Sequence, residues 1–415
     1  MSFVSHIECT VCGRRHEAGR VLTVCEGCGQ MLAVRYDLPR VATSVDKGAL
    51  RARPPGMYRF RELTPLDADE EPITLGEGGT PLLPLPRLAE HLGLRHVWAK
   101  DEGQNPTGSF KARGLGMAIT KARTLGVKGL MIPSAGNAGG AAAVYGARAG
   151  IPVAVVVPRG TPEAAVAEAV LAGAHVFTVE GSIATAGRVI AKVAPRLGWF
   201  DMATLKEPYR LEGKKTMGLE LAEQLGWDTP DVLLYPTGGG TGLVGIWKAF
   251  GELADMGWIP RRQPRFVSVQ AEGCAPVVKA WREGAETTAM WEHPVTDAPG
   301  LRVPGPFAGR QMLAIVRQTG GQGIAVSEHE IVDAQKLLAR HEGIWTAPEA
   351  AAALAALLQL RSAGGVERDT RIVLVLTGAG IKNPPPEGPP PVHLEGTEDA
   401  VLAQVMAAMG APPAR

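Results

Sequence analysis

GLMIPSAGNAGGAAAVYGARAGIPVAVVVP, residues 129–158, holds the reading that decides the fold. It opens on a short apolar run (129–134), passes a glycine-containing turn, continues as an Ala-rich helical stretch (138–149) and ends in PVAVVVP (152–158), where no side chain is polar. A strand that is apolar at every position is covered on both faces, and an intervening helix lets two such strands run parallel. The same alternation spreads outward in both directions. HVWAK (96–100), HVFTVE (175–180), DVLLYP (231–236), RFVSVQ (265–270) and RIVLVLT (371–377) are further strands. Helical stretches fall at 109–126, 162–172, 183–197, 213–226, 242–255, 328–341 and 347–363. The expected fold class is α/β: two lobes of mainly parallel twisted sheets flanked by helices, with a cleft between them. Ligands of such sheets bind beyond the carboxyl ends of the strands, so the loops after these runs are where chemistry is expected.

Four of those loops carry polar or glycine-rich motifs. In NPTGSFKARG (105–114) a Pro–Thr–Gly turn leads through Ser109 into a helix, placing Lys111 in its first turn. The positive end of the helix dipole disfavours an ammonium there and leaves a better nucleophile, although a first-turn lysine taken alone is usually just solvated. PTGGGTGLVG (236–245) follows DVLLYP directly. Consecutive glycines leave backbone N–H groups free, and the next helix adds its dipole, which suits a phosphate. The loop matches neither GxxxxGK[ST] nor GxGxxG, so the common nucleotide loops are set aside. PSAGNAGGAA (133–142) offers Ser134, Asn137 and a helix start able to hold a carboxylate, with Asn137 serving equally well as a cap. LTGAGIKNP (376–384) sets Thr377 at a strand end, where by itself it reads as a capped turn. Jointly the four loops supply an amine, a phosphate cup, an amide and a hydroxyl, which is what pyridoxal 5'-phosphate requires: a lysine for the Schiff base, a seat for its phosphate, and partners for a ring that acts as electron sink.

The N-terminus has a different character. Cys9, Cys12, Cys25 and Cys28 form two CxxC pairs, each offering two thiolates from one tight turn. They point to a zinc-ribbon-like four-cysteine module over 1–36 with a structural Zn2+, a metal-free relic being the alternative. Residues 37–75, with Pro54, Pro55 and Pro65, read as a linker, 76–385 as the catalytic body with its smaller lobe at about 108–200, and 386–415 as a Pro-rich segment and C-terminal helix. The irregular stretch 283–310 is a mobile flap or a long loop. With Lys+Arg 43 against Asp+Glu 42, no whole-molecule field draws the chain to nucleic acid or to a membrane surface. The first residues, MSFVSHIECTVCGRRHE, lack the apolar run of a secretory signal, and no apolar stretch is of membrane-spanning length. Only Cys274 lies outside the CxxC pairs. A cytoplasmic, reducing setting is therefore expected.

NPTGSFKARG, SAGN, the triple-glycine loop and LTGAGIKNP occur in this order across residues 75–385. In that combination the chain resembles the threonine synthases of the pyridoxal-phosphate fold type II, tryptophan synthase β-like family. The resemblance implies that Lys111 carries the cofactor and that Asn137 meets its phenolic oxygen. It also implies that Gly238, Gly239, Gly240, Thr241 and Gly242 hold its phosphate, and that Thr377 faces the pyridine nitrogen. A neutral hydroxyl at that nitrogen leaves it unprotonated and the electron sink weaker. The implied reaction converts O-phospho-L-homoserine and water to L-threonine and phosphate, a carbon–oxygen lyase acting on phosphates. Lys111 moves the protons and Ser134, Ala135, Gly136 and Asn137 hold the substrate carboxylate. A second anion site is then needed, and KEPYRLEGKKT (206–216) supplies Arg210, whose guanidinium matches phosphate oxygens. Two features depart from the family pattern. Leu205 and Glu207 stand where members carry Ser and Asn, placing a carboxylate near the phosphate, and Ala112 stands where many have Asp. The resemblance also implies a homodimer acting on a small amino-acid phosphate. On the same scaffold a serine/threonine dehydratase needs no second phosphate site, so Arg210 discriminates, whereas a cysteate-synthase-like enzyme acting on phosphoserine needs one too. A non-catalytic relative is disfavoured by the intact Lys111 loop and the near-neutral charge.

Overall fold

The seven apolar runs form strands within a residue or two of their expected ends in the computed structural model, which describes residues 2–387 and 391–409. In chain order the strands are β1 (Val4–Cys9), β2 (Arg15–His16), β3 (Leu32–Tyr36), β4 (Leu82–Pro84), β5 (His96–Asp101), β6 (Leu130–Pro133), β7 (Val153–Pro158), β8 (His175–Val179), β9 (Phe200–Asp201), β10 (Val232–Pro236), β11 (Arg265–Ala271), β12 (Gln322–Val326) and β13 (Arg371–Leu376). They build three sheets, ordered β2-β1-β3, β12-β11-β10-β13-β5-β4 and β8-β7-β6-β9. The six-stranded sheet is parallel except where β4 pairs antiparallel with β5. The four-stranded sheet is parallel throughout, with the all-apolar β6 and β7 as its buried centre and β8 a largely exposed edge.

Helices at the site or directly behind it include α1 (Lys111–Thr124), α2 (Asn137–Ala149), α3 (Tyr209–Gln224), α4 (Thr241–Asp255) and α5 (Pro348–Ser362). Both faces of the large sheet are covered. Leu233, Tyr235, Val373 and Val375 pack toward α3 and α4, while Val232, Leu234, Ile372 and Leu374 pack toward α5. In the small sheet Leu130, Ile132 and Val155 face α2, and Met131, Ala154 and Val156 face the helix Ile183–Leu197.

The segment 37–75 is not a linker. Its prolines limit it to a short helix, Leu38–Ser44, and two 3-10 turns, Ala49–Ala52 and Met57–Leu63, yet Leu50, Met57, Phe60 and Leu63 are buried and Arg59 pairs with Glu223 at 3.0 Å. Broken helical propensity did not prevent apolar residues from packing. The cysteine module is likewise built into the body: Ile7, Leu32, Val34 and Tyr36 share one core with Ala112, Leu115 and Ala118 of α1. Residues to Pro384 form one compact unit. From Pro385 a second unit contains the helix Glu398–Ala408, capped by the Thr397 side chain and with no buried residue. Residues 388–390 and 410–415, within the Pro-rich segment and the expected C-terminal helix, lie outside the described residues. Among the described residues no helix is long and apolar enough to cross a membrane.

Candidate active site

The four strand-end loops meet in one cavity of about 490 Å3. Phe110 and Lys111 reach it from the loop after β5, residues 133–138 from that after β6, Gly238–Thr241 from that after β10, and Thr377 and Gly378 from that after β13. Each loop sits at a strand's carboxyl end, where parallel packing leaves room between sheet and helix.

Lys111 is the first residue of α1. Its N–H donates to the Ser109 hydroxyl at 3.4 Å, and the preceding loop is pinned to β13 by Phe110 N–H donating to the Thr377 carbonyl at 3.0 Å. The Lys111 side chain shows part of its surface to the cavity and is otherwise enclosed. Burial, followed by the positive charge of Arg210, lowers its pKa to about 8 against the opposing pull of Glu349. An amine with that pKa both takes and returns protons near neutrality.

Ser134 is committed elsewhere than expected. Its buried hydroxyl accepts from Gly139 N–H at 2.8 Å and Gly136 N–H at 3.2 Å and donates to the Gly136 carbonyl at 2.9 Å, so it fastens the start of α2. Asn137 is thereby released from capping. It occupies the first helical position and lines the cavity with Ala135 and Gly136. The glycine loop enters α4 through Gly240 at φ +81, a backbone shape that favours glycine, and no side chain caps the helix. The first N–H groups of α4 are thus presented to the cavity, an arrangement that binds anions. Gly238, Gly239, Gly240 and Thr241 line the wall, whereas Gly242 lies behind it, against the Tyr235 hydroxyl. Thr377 is on the wall and buried.

Arg210 stands one layer back, beside Lys111 and not on the wall. It is 2% exposed. One nitrogen, Nη1, donates to the Met202 carbonyl at 2.7 Å, and Nε has no partner among the described residues. Glu207, the residue at odds with the family pattern, caps α3: its carboxylate accepts from Tyr209 N–H at 2.7 Å and Arg210 N–H at 3.0 Å. Burial raises its pKa to about 7, so near neutrality much of the expected repulsion is absent.

Sequence reasoning missed several wall residues. Lys206 and Arg302 bring positive charge to the cavity, and Lys382 reaches it while pairing with Glu168 at 2.7 Å. Glu349, near the start of α5, accepts from Gly300 N–H at 2.7 Å, while its Oε2 is buried without a partner among the described residues. Burial raises its pKa. Gly300 and Arg302 belong to the irregular stretch 283–310, which is anchored here by buried Ala298 and Leu301. Lys206 and Lys382 had a signal, as members of the quoted 206–216 and 376–384 segments.

Outside the cavity the four N-terminal thiols converge. Their sulfurs lie within 4.8 Å of one another, with Cys9–Cys28 at 3.4 Å and Cys12–Cys25 at 3.6 Å. A tetrahedral zinc site with Zn–S near 2.3 Å separates sulfurs by about 3.8 Å, so the set fits a zinc ion and is too open for disulfides. The N–H groups of Cys12 and Gly27 point at Cys9 Sγ and Cys25 Sγ, each at 3.4 Å, as thiolates require.

A family model described as pyridoxal-phosphate dependent enzyme matches residues 73–378. The chain is 37% identical to the threonine synthase of Methanosarcina acetivorans, over 91% of this chain and 92% of that protein. It is 36% identical to the threonine synthase of Methanocaldococcus jannaschii over the same shares. Among solved structures, maize serine racemase is similar in fold, with TM-score 0.63, 24% identity and coverage of 72% of this chain and 88% of that one. The processed form of threonine deaminase isoform 2 from Solanum lycopersicum is similar in fold at TM-score 0.61 and 20% identity, covering 80% and 88%.

Proposed function

The chain belongs to the pyridoxal-phosphate dependent enzyme family, and on that footing we infer that it converts O-phospho-L-homoserine and water to L-threonine and phosphate. The observation that carries this reading is the convergence of Lys111, the uncapped start of α4, Asn137 and Thr377 in one cavity whose wall also holds Lys206 and Arg302. The residues fit the cofactor: an amine of lowered pKa, free N–H donors at a helix start, and an amide and a hydroxyl on the wall. Lys111 would hold it, Gly238 to Thr241 would seat its phosphate, and Asn137 and Thr377 would meet its ring. When bound, it supplies an electrophilic carbon for amines and an electron sink for charge at Cα.

Everything else is work for the chain itself. The Lys111 amine is placed to take the Cα proton and then to move protons at Cβ and Cγ as phosphate departs and water adds. The loop from Ser134 to Asn137 receives the substrate carboxylate at the start of α2, where the helix favours an anion. Ser134 contributes by holding that loop's shape. Lys206 and Arg302 on the wall would add a second positive region, besides the helix starts, for the substrate phosphate. A dehydratase has no use for that second positive region.

The same reading carries a homodimer and a cytoplasmic setting, with no nucleic-acid partner, which the near-zero net charge supports. It also carries a structural Zn2+ on Cys9, Cys12, Cys25 and Cys28, which four thiolates close off from catalysis.

Product identification is the test. The protein is incubated separately with O-phosphohomoserine, phosphoserine, serine and threonine, and released phosphate, threonine and keto acid are measured. Phosphate and threonine from O-phosphohomoserine are expected. Keto acid from serine or threonine as the main product would replace the reading with a dehydratase.

A further inference from the structure

Five lysines are buried among the described residues, and four have a carboxylate. Lys100 pairs with Glu220, Lys121 with Glu70, Lys215 with Glu212 and Glu252, and Lys248 with Glu212 and Glu252. Lys214 is the fifth. It is 1% exposed and makes no ion pair among the described residues, and its Nζ donates to a backbone carbonyl, that of Phe110, immediately before Lys111. The amines of Lys111 and Lys214 each lie 4.2 Å from the centre of the same Phe110 ring.

The local fold makes this reach possible. Helices α1 and α3 touch backbone to backbone: a Cβ on Gly213 would collide with the Arg113 carbonyl oxygen, and one on Gly114 would sit 2.9 Å from Lys214 Cε. Lys214 follows Arg210 by one helical turn on the same face. The charged groups around its amine are Lys111 and Arg113 of α1, Arg210 of α3 and Glu102. Arg113 and Glu102 already satisfy one another at 2.7 Å, which leaves the cations Lys111 and Arg210, and the carboxylates that act on those two, Glu349 on Lys111 and Glu207 and Asp201 on Arg210, form no ion pair with Lys214. A third positive charge in this dry space, with no anion to meet it, is the costliest arrangement available. Arg210 does not lose its proton. Burial, then Lys111 and Arg210, push the Lys214 amine well below the ordinary lysine range.

We propose that Lys214 is a positioning residue that works uncharged: its amine fastens the Phe110 carbonyl, and with it the first turn of α1 that aims Lys111, without adding a fixed charge beside the reacting amine. A lysine spans the gap and can shed its proton, while an arginine cannot. Lys111 is thereby left as the titrating amine of the cleft, with Arg210 the permanent charge behind it.

The inference rests on Lys111 being the amine that carries the cofactor, and the experiment separates the two. Holoenzyme of the wild type, K214M, K214Q and K214R is titrated by its visible absorbance band as a function of pH, and kcat and KM are measured for each. For K214M the midpoint should stay within about half a unit of wild type, with kcat lower by about tenfold and KM changed by about twofold or less. K214Q, a neutral donor, should recover part of that kcat. K214R should lower the midpoint by about one unit or more, through the fixed charge, and retain less activity than K214M. A K214M midpoint raised by about a unit would show that Lys214 is charged and overturn the proposal, as would wild-type kcat in K214M. If K214M does not fold, the K214Q and K214R pair decides by the same two readings, and equal midpoints and rates in that pair overturn it. A wild type with no visible band at any pH would remove the cofactor reading itself, and this inference with it.

Discussion

Helix α3 carries two kinds of buried charge, and the difference between them marks the site. On the faces turned away from Lys111 every charge is matched. Lys215 meets Glu212 and Glu252 at 2.8 Å, Glu212 also takes the Tyr36 hydroxyl at 2.7 Å, and Glu220 holds Lys100 and Arg113 at 2.7 Å. On the face turned toward Lys111, Arg210 and Lys214 make no ion pair among the described residues. One helix, folded in one environment, pairs its charges where only stability is served, and on the face behind the proposed substrate site it leaves Arg210 without a carboxylate and Lys214 on a backbone carbonyl.

The largest test of that division is Lys111→Ala. It should remove the visible absorbance of the purified protein and lower kcat by about 10^4-fold or more, with little change in Tm relative to the cofactor-free wild type, because the Lys111 amine makes no ion pair among the described residues and only faces the Phe110 ring. A band that survives unchanged would end the assignment of Lys111. Glu220→Ala should do the opposite. Removing the shared partner of Lys100 and Arg113 leaves two buried cations short of charge, a loss of about 3–5 kcal/mol, read as a clear drop in Tm. A Tm equal to wild type would show that the paired faces are not what holds the helix.

Between these extremes lies Arg210→Ala, which touches the unpaired face. The KM for O-phosphohomoserine should rise about 10- to 100-fold, while any serine deamination changes far less. Equal effects on both substrates would make Arg210 structural, in keeping with its place one layer behind the wall. Metal removal probes the paired side from a distance. Chelation should lower Tm while the visible band persists, since the thiol cluster is outside the cavity. The Tyr36–Glu212 hydrogen bond and the core shared with α1 should carry a loss of kcat of about a few fold. Absence of zinc by elemental analysis would make the module a relic.

How much of this was legible beforehand follows from what each residue depends on. The seven strands and their helices were readable because both-face burial writes continuous apolar runs, and the glycine loops because strand-end turns concentrate glycine. Strand β12, QGIAV after two glycines, carries a glutamine and a glycine that interrupt the apolar run, and β9 has only two residues. The 37–75 segment misled because proline reports on helix length and not on burial. Within the site, Lys111, Asn137, Thr377 and most of the glycine loop were found from local motifs. Glu349 and Arg302 were not, since which side chains line the cavity is set by how distant segments pack. Ser134 was assigned to the substrate but is spent on the helix start, a division that only hydrogen-bond partners reveal.

Glu207 gives the smallest effect and the finest probe of the boundary between the two faces. Its pKa of about 7 lies above the ordinary glutamate value because burial outweighs Arg210 and the two N–H groups it accepts from. The native state therefore holds a proton that the unfolded chain has already lost once the pH passes the ordinary glutamate range, and stability falls as pH rises from about 4.5 to 7. Glu207→Gln keeps an acceptor for the start of α3 and removes the titration, so its Tm should decline less over that window, with a gain of about 1–2 kcal/mol at about pH 8. The same ionisation cancels part of the Arg210 charge. In the wild type, KM for O-phosphohomoserine should therefore climb above about pH 7, and in E207Q it should not. Parallel KM profiles in the two proteins would mean that Arg210 does not act on the substrate phosphate, and the unpaired face of α3 would then have no part in binding it.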